Sequence, residues 1–137
     1  MPIELTMPVE LKILALGAVL LLVHIQVAIR AKTRQYGVTW NTGARDEALP
    51  PLGEIPARLE RARDNFQETL PIAIIALLGL VVAGKTSEIT AVAGWVWLGA
   101  RVVYLPLYWT GVKLWRTVVF GVSALALIVL VGVLLFG

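Results

Sequence analysis

Apolar positions along this chain gather into four long runs, separated by polar connections of very unequal length. The first, LKILALGAVLLLVHIQVAI, occupies residues 11 to about 30. The second reaches its apolar part only at Thr69 and ends at Ala83, while the third and fourth fill residues 88–109 and 116–136. Three of these approach the roughly 20 residues that a helix needs to cross a hydrocarbon core ~30 Å thick. The second is long enough once its polar lead-in is included, because Pro56 suits the first turn of a helix running on to residue 83. That helix protrudes into water before entering lipid. Pro71 lies inside it, removes one backbone hydrogen bond and crowds the carbonyl of Gln67, which predicts a kink near the membrane surface. The turns GKTSE and TGVKLWR are short, so neighbouring helices run antiparallel. The expected fold is an all-α, left-handed antiparallel four-helix membrane bundle forming one domain, with a glycine-, proline- and charge-rich loop at about 31–56.

Composition agrees with the pattern. The chain is 58% hydrophobic with a mean hydropathy of +0.82, above the roughly 45–50% apolar content of soluble domains. No cysteine is present, which excludes disulfides, thiolate metal sites and a cysteine nucleophile, and the single histidine, His24, excludes a multi-histidine metal centre within one subunit. A net charge of +3 raises the possibility of nucleic acid binding. The basic residues instead cluster beside the apolar runs, as membrane topology places them. The N-terminal MPIELTMPVELK shows neither a basic lead nor a small-residue cleavage site, so the first run reads as a retained anchor. Arg30, Lys32, Arg34, Arg45, Arg58, Arg61, Arg63, Lys113 and Arg116 all fall in or beside the long loop and the third turn, against Lys12 and Lys85 opposite. That asymmetry predicts a cytoplasmic loop with both termini on the non-cytoplasmic side.

Polar residues that enter the apolar runs carry the candidate chemistry. Arg61, Asn65 and Glu68 are spaced four and three apart and share a helix face, as do Arg101, Tyr104 and Tyr108 in the third run. An arginine alone at mid-span costs about 2.5–3.5 kcal/mol on insertion scales. Glu68 is the acid nearest that depth, so a bidentate Glu68–Arg101 pair is expected. Such a pair could serve only to hold two helices together, although that purpose does not require Arg61, Asn65 and two tyrosines facing the same way.

The segment ERARDNFQETLP, at the start of the second of four spans, resembles the MAPEG family, the membrane-associated proteins in eicosanoid and glutathione metabolism. The family pattern reads roughly Glu-Arg-x-x-Arg-Ala-(His/Gln)-x-Asn-x-x-Glu followed by a proline, and ARVVYLPLY resembles its Arg-x-x-(Tyr/His)-x-x-x-Tyr. Arg63 replaces the family's His/Gln, Asp64 precedes the asparagine, and Thr69 stands where animal leukotriene-forming members carry tyrosine. The long loop resembles a bacterial branch, which implies a bacterial inner membrane.

The resemblance implies a homotrimer with glutathione as cosubstrate, bound between subunits near the cytoplasmic face. Arg61, Asn65 and Glu68 would hold its charged and amide groups, Tyr104 and Tyr108 would line the cleft, and Arg101 would brace Glu68. Arg30 would meet a glutathione carboxylate from the next subunit. The implied activity is that of a transferase or peroxidase acting on hydrophobic electrophiles or lipid hydroperoxides, with Arg116 and Tyr108 as the catalytic candidates.

These residue types suit such chemistry independently. Two carboxylates and an amine call for several cations and an anion, and arginine presents a forked donor to each carboxylate. Lowering a thiol pKa by about two units corresponds to ~2.7 kcal/mol of thiolate preference, which a guanidinium or a tyrosine hydroxyl can supply. The residues leave open a non-enzymatic trimeric membrane protein that binds a lipid or an anionic small molecule in the same cleft. His24 and Gln26 read as an interhelical hydrogen bond or as rim groups, Trp95, Trp97, Trp109 and Trp115 as anchors and packing groups, and Gly94 and Gly99 as points of close helix approach.

Overall fold

A computed structural model describes residues 6–137, which form helices and connecting segments throughout. Helix α1 spans Val9–Tyr36, α2 Val38–Thr42, α3 Glu54–Val82, α4 Glu88–Trp109 and α5 Lys113–Phe136. Four of them are long and apolar enough to cross a membrane, and the short α2 is not among these. With 28 and 29 residues, α1 and α3 are each about 42 Å long at 1.5 Å per residue, well beyond a ~30 Å hydrocarbon core. Their polar ends therefore stand in or beyond the headgroup region. Lys32 Nζ donates to Glu60 Oε1 at 2.7 Å and ties these protruding ends together.

The loop between them is more ordered than its composition suggests. Gly37, at φ 98, turns the chain out of α1 and into α2. Gln35 donates to the carbonyl of Pro51 at 3.0 Å and accepts from the amide of Gly53 at 2.7 Å, while Tyr36 donates to the carbonyl of Pro50 at 2.6 Å. These bonds deliver the chain to the start of α3, with Pro56 in its first turn. The helix then continues through Pro71 to Val82.

Two contacts fix the arrangement at the opposite end. Ser87 and Thr90 form a reciprocal capping box at the start of α4, and Thr90 Oγ1 also donates to buried Glu10 in the first turn of α1 at 2.8 Å. Lys85 Nζ donates to the carbonyl of Leu134 at 2.8 Å, placing a cation on the orphan carbonyls of the α5 C-terminus. The start of α1, the α3–α4 turn and the end of α5 thus share one end of an up-down-up-down bundle. The loop and the α4–α5 turn occupy the other.

Buried positions on α3, from Leu59 through Ala62, Phe66, Ala73, Ala76, Leu77 and Leu80, follow helical spacing. Small residues at the crossings let backbones approach. A Cβ on Gly94 would lie 2.7 Å from Ile13 Cδ1, a side chain with no solvent exposure. Gly94→Val is therefore expected to destabilise the bundle by about 1–3 kcal/mol through overpacking, read as a lower thermal unfolding midpoint in detergent. Gly99 differs from its sequence reading: it is exposed and a Cβ there would meet nothing within 4 Å, because it lies on the outer face of α4.

Candidate functional site

At the loop end, α3, α4 and α5 diverge around a cavity of about 500 Å³. Helix α3 contributes Arg61, Asp64, Asn65 and Glu68, α4 contributes Tyr104 and Tyr108, and α5 contributes Arg116, Thr117 and Phe120. Helical spacing explains each group, since 61, 64, 65 and 68 fall on one face of α3 and 104 and 108 on one face of α4.

Tyr108 occupies the centre of the polar contacts. Arg61 Nε donates to its hydroxyl oxygen at 3.1 Å, and the Arg116 guanidinium lies 4.6 Å from its ring centroid. Tyr104 meets Tyr108 edge-on at 5.5 Å between centroids. Because the Tyr108 oxygen accepts from Arg61, its own O–H remains available to donate to a ligand. Asn65 is half-buried, and its side-chain carbonyl oxygen is enclosed without a partner. Glu68 is exposed and has no ion pair among the described residues, whereas Asp64 is bound by Arg63 at 3.1 Å.

Six of the residues singled out in the sequence, Arg61, Asn65, Glu68, Tyr104, Tyr108 and Arg116, thus share one hollow. Two others do not reach it. Arg30 is exposed on α1 and does not line the cavity. Arg101 lies beneath it, fully buried, with all three guanidinium nitrogens lacking a hydrogen-bond partner. The expected Glu68–Arg101 ion pair is absent. Glu68 sits two residues beyond Phe66, about 200° around α3. Phe66 faces the bundle interior, where Arg101 packs, and Glu68 faces out. The guanidinium is surrounded by rings instead, 4.3 Å from the centroid of Tyr104, 5.2 Å from Phe66 and 5.8 Å from Phe120. His24 likewise makes no interhelical hydrogen bond; it is buried and stacks on Phe66 at 5.0 Å.

Thr117 and Phe120 were missed in the sequence. Their signal was present in part, because Phe120 follows Arg116 by four residues and Thr117 by three, which places it beside both on α5. Two further hollows are apolar grooves. One lies between α4 and α5, and the other, about 500 Å³ between α3 and α5, shares Phe120 with the polar cleft and runs past Ile72, Leu127 and Ile128.

The family model described as the MAPEG family matches residues 11–136, essentially the whole chain. Neither a curated protein nor a solved structure matches it at a significant level.

Proposed function

From the premise that this chain belongs to the MAPEG family, we propose that this integral membrane protein binds glutathione in the polar cleft and uses its thiolate. The sulfur would add to a hydrophobic electrophile, or two glutathione molecules would reduce a lipid hydroperoxide to its alcohol and water, leaving glutathione disulfide. The carrying observation is the convergence of Arg61, Asn65, Glu68, Tyr104, Tyr108 and Arg116 around one cavity at the end of the bundle.

Glutathione brings two carboxylates, an amine, two amides and a thiol. Arg61 takes one carboxylate with forked donors, and the unpaired Glu68 takes the amine. Asn65, whose side-chain oxygen lacks a partner, accepts from a peptide N–H. Arg116 and the free O–H of Tyr108 face the sulfur and favour its ionised form. Arg30, exposed on its own protomer, reaches the second carboxylate from a neighbouring copy in a homotrimer. The cleft opens at the cytoplasmic face, with both chain termini on the far side, in a bacterial inner membrane. The groove between α3 and α5, which shares Phe120 with the cleft, would admit an apolar substrate sideways from lipid.

Titrating the detergent-purified protein with glutathione, while following thiolate absorbance, tests this reading. Binding at or below millimolar concentration together with a thiolate signal at neutral pH is expected. No binding at millimolar glutathione would overturn it. Tyr108→Phe is expected to leave glutathione affinity within a few-fold and to lower turnover about 10–100-fold, since one donor to the developing anion is lost. Steady-state kinetics with a generic aryl halide electrophile would check this.

A further inference from the structure

We propose that Arg101, buried one ring beneath the cleft and lacking any carboxylate, is the positioning residue whose uncompensated charge holds bound glutathione as the thiolate. This inference rests on the glutathione reading above and adds to it a source for the sulfur's ionisation.

Charge accounting around the cleft carries the argument. Lys32, Glu60, Arg63 and Asp64 form a closed cluster, with contacts of 2.7, 3.5 and 3.1 Å, in which two cations meet two anions. Of the groups proposed to meet the peptide, Arg61 and the neighbouring copy's Arg30 answer the two carboxylates and Glu68 answers the amine, so the charges of the neutral-thiol form are matched. Ionisation adds one negative charge at the sulfur, and that charge faces Arg116 on the cleft wall and Arg101 beneath it.

Its position makes it effective at this task. Arg61 and Glu68 are exposed, and their fields are screened by water and salt. Arg101 has no solvent exposure and no hydrogen-bond partner, so its field passes through low-dielectric side chains. Two of the three rings around it, Tyr104 and Phe120, are themselves cleft walls. The titratable neighbours leave that charge uncancelled. His24, from α1, shares the Phe66 ring with it, Tyr104 adjoins it on α4, and no acid lies within ion-pair distance among the described residues. On binding, the S–H bond breaks, the electron pair stays on sulfur, and the proton leaves through the open mouth of the cleft to water. Burial of an unpaired guanidinium is unfavourable in the empty protein, and a thiolate arriving one ring away relieves it.

The test compares wild type with Arg101→Leu and Arg101→Lys in detergent. Affinity for S-methylglutathione, whose sulfur cannot ionise, reports recognition of the peptide. A pH titration of thiolate absorbance with saturating glutathione reports the sulfur. The expected result is S-methylglutathione affinity within a few-fold of wild type in both variants. The thiol titration should move up by about one pH unit in Arg101→Leu, a roughly tenfold loss of thiolate at neutral pH, and stay close to wild type in Arg101→Lys. Arg101→Gln serves as the neutral variant should the leucine form fail to assemble. An unchanged titration in a neutral variant that still binds glutathione overturns the role of Arg101 while leaving the glutathione reading intact. Failure of wild type to bind glutathione or S-methylglutathione overturns both.

Discussion

Arg61→Ala is expected to weaken glutathione binding by about 10–100-fold, corresponding to the ~1.5–3 kcal/mol carried by a hydrogen bond to a charged group. The side chain has two duties in the cleft. It donates to the Tyr108 hydroxyl at 3.1 Å, and its remaining donors face the cavity where a carboxylate would sit. Truncation removes the carboxylate partner and also frees Tyr108 to rotate away from the sulfur, so turnover should fall together with affinity. The fold should be indifferent, because Arg61 is exposed and belongs to no ion pair among the described residues. Calorimetric titration together with a thermal melt separates these effects. An affinity within twofold of wild type would remove Arg61 from the proposed site.

Trp97→Ala is the substitution with the largest expected effect on stability, about 3 kcal/mol, at the low end for loss of a buried tryptophan. Trp97 has no solvent exposure, lies 6.1 Å from the Phe66 ring centroid and fills the notch that Gly17 leaves open. Lipid tails are as apolar as the bundle interior, so the loss is one of packing and not of hydrophobic transfer. The indole N–H has no partner, and deleting it recovers part of the cost. The thermal midpoint in detergent should fall by roughly 10 °C or more. A change below about 1 kcal/mol would mean that the α1–α3–α4 contact does not depend on this side chain.

Much of the architecture is legible in the sequence. A backbone in lipid must satisfy every polar group within its own segment, so an apolar run of sufficient length has little alternative to a helix. The candidate face Arg61, Asn65 and Glu68 was equally readable, since the spacing within one helix determines which residues lie side by side. Ordering within the loop was harder to see. The clamps from Gln35 and Tyr36 to Pro50, Pro51 and Gly53 join positions 14 to 18 residues apart, and no local pattern announces them.

The Glu68–Arg101 expectation failed for an instructive reason. It matched charges by depth and ignored rotation about the helix axis. Phe66 and Glu68 are at nearly the same depth, yet one faces the interior and the other the cleft mouth. In a soluble bundle an apolar stripe would have identified the inward face. In a membrane protein the lipid-facing and bundle-facing surfaces are both apolar, and hydrophobicity cannot tell them apart. Gly94 and Gly99 illustrate the same ambiguity. They are five residues apart on α4, but only Gly94 meets a neighbouring helix within the chain.

By itself, the sequence determined that the chain crosses a membrane as four helices, and it determined which polar residues share a face on each, because both follow from local spacing and the absence of water in lipid. Tertiary structure alone decided how those faces are turned toward one another. It left Arg101 among aromatic rings without an acid, brought Thr117 and Phe120 into the cleft, and set an apolar groove between α3 and α5 on the other side of Phe120. Rotation of one helix against its neighbours is set by side-chain interlocking across the whole bundle, and no short stretch of chain encodes it.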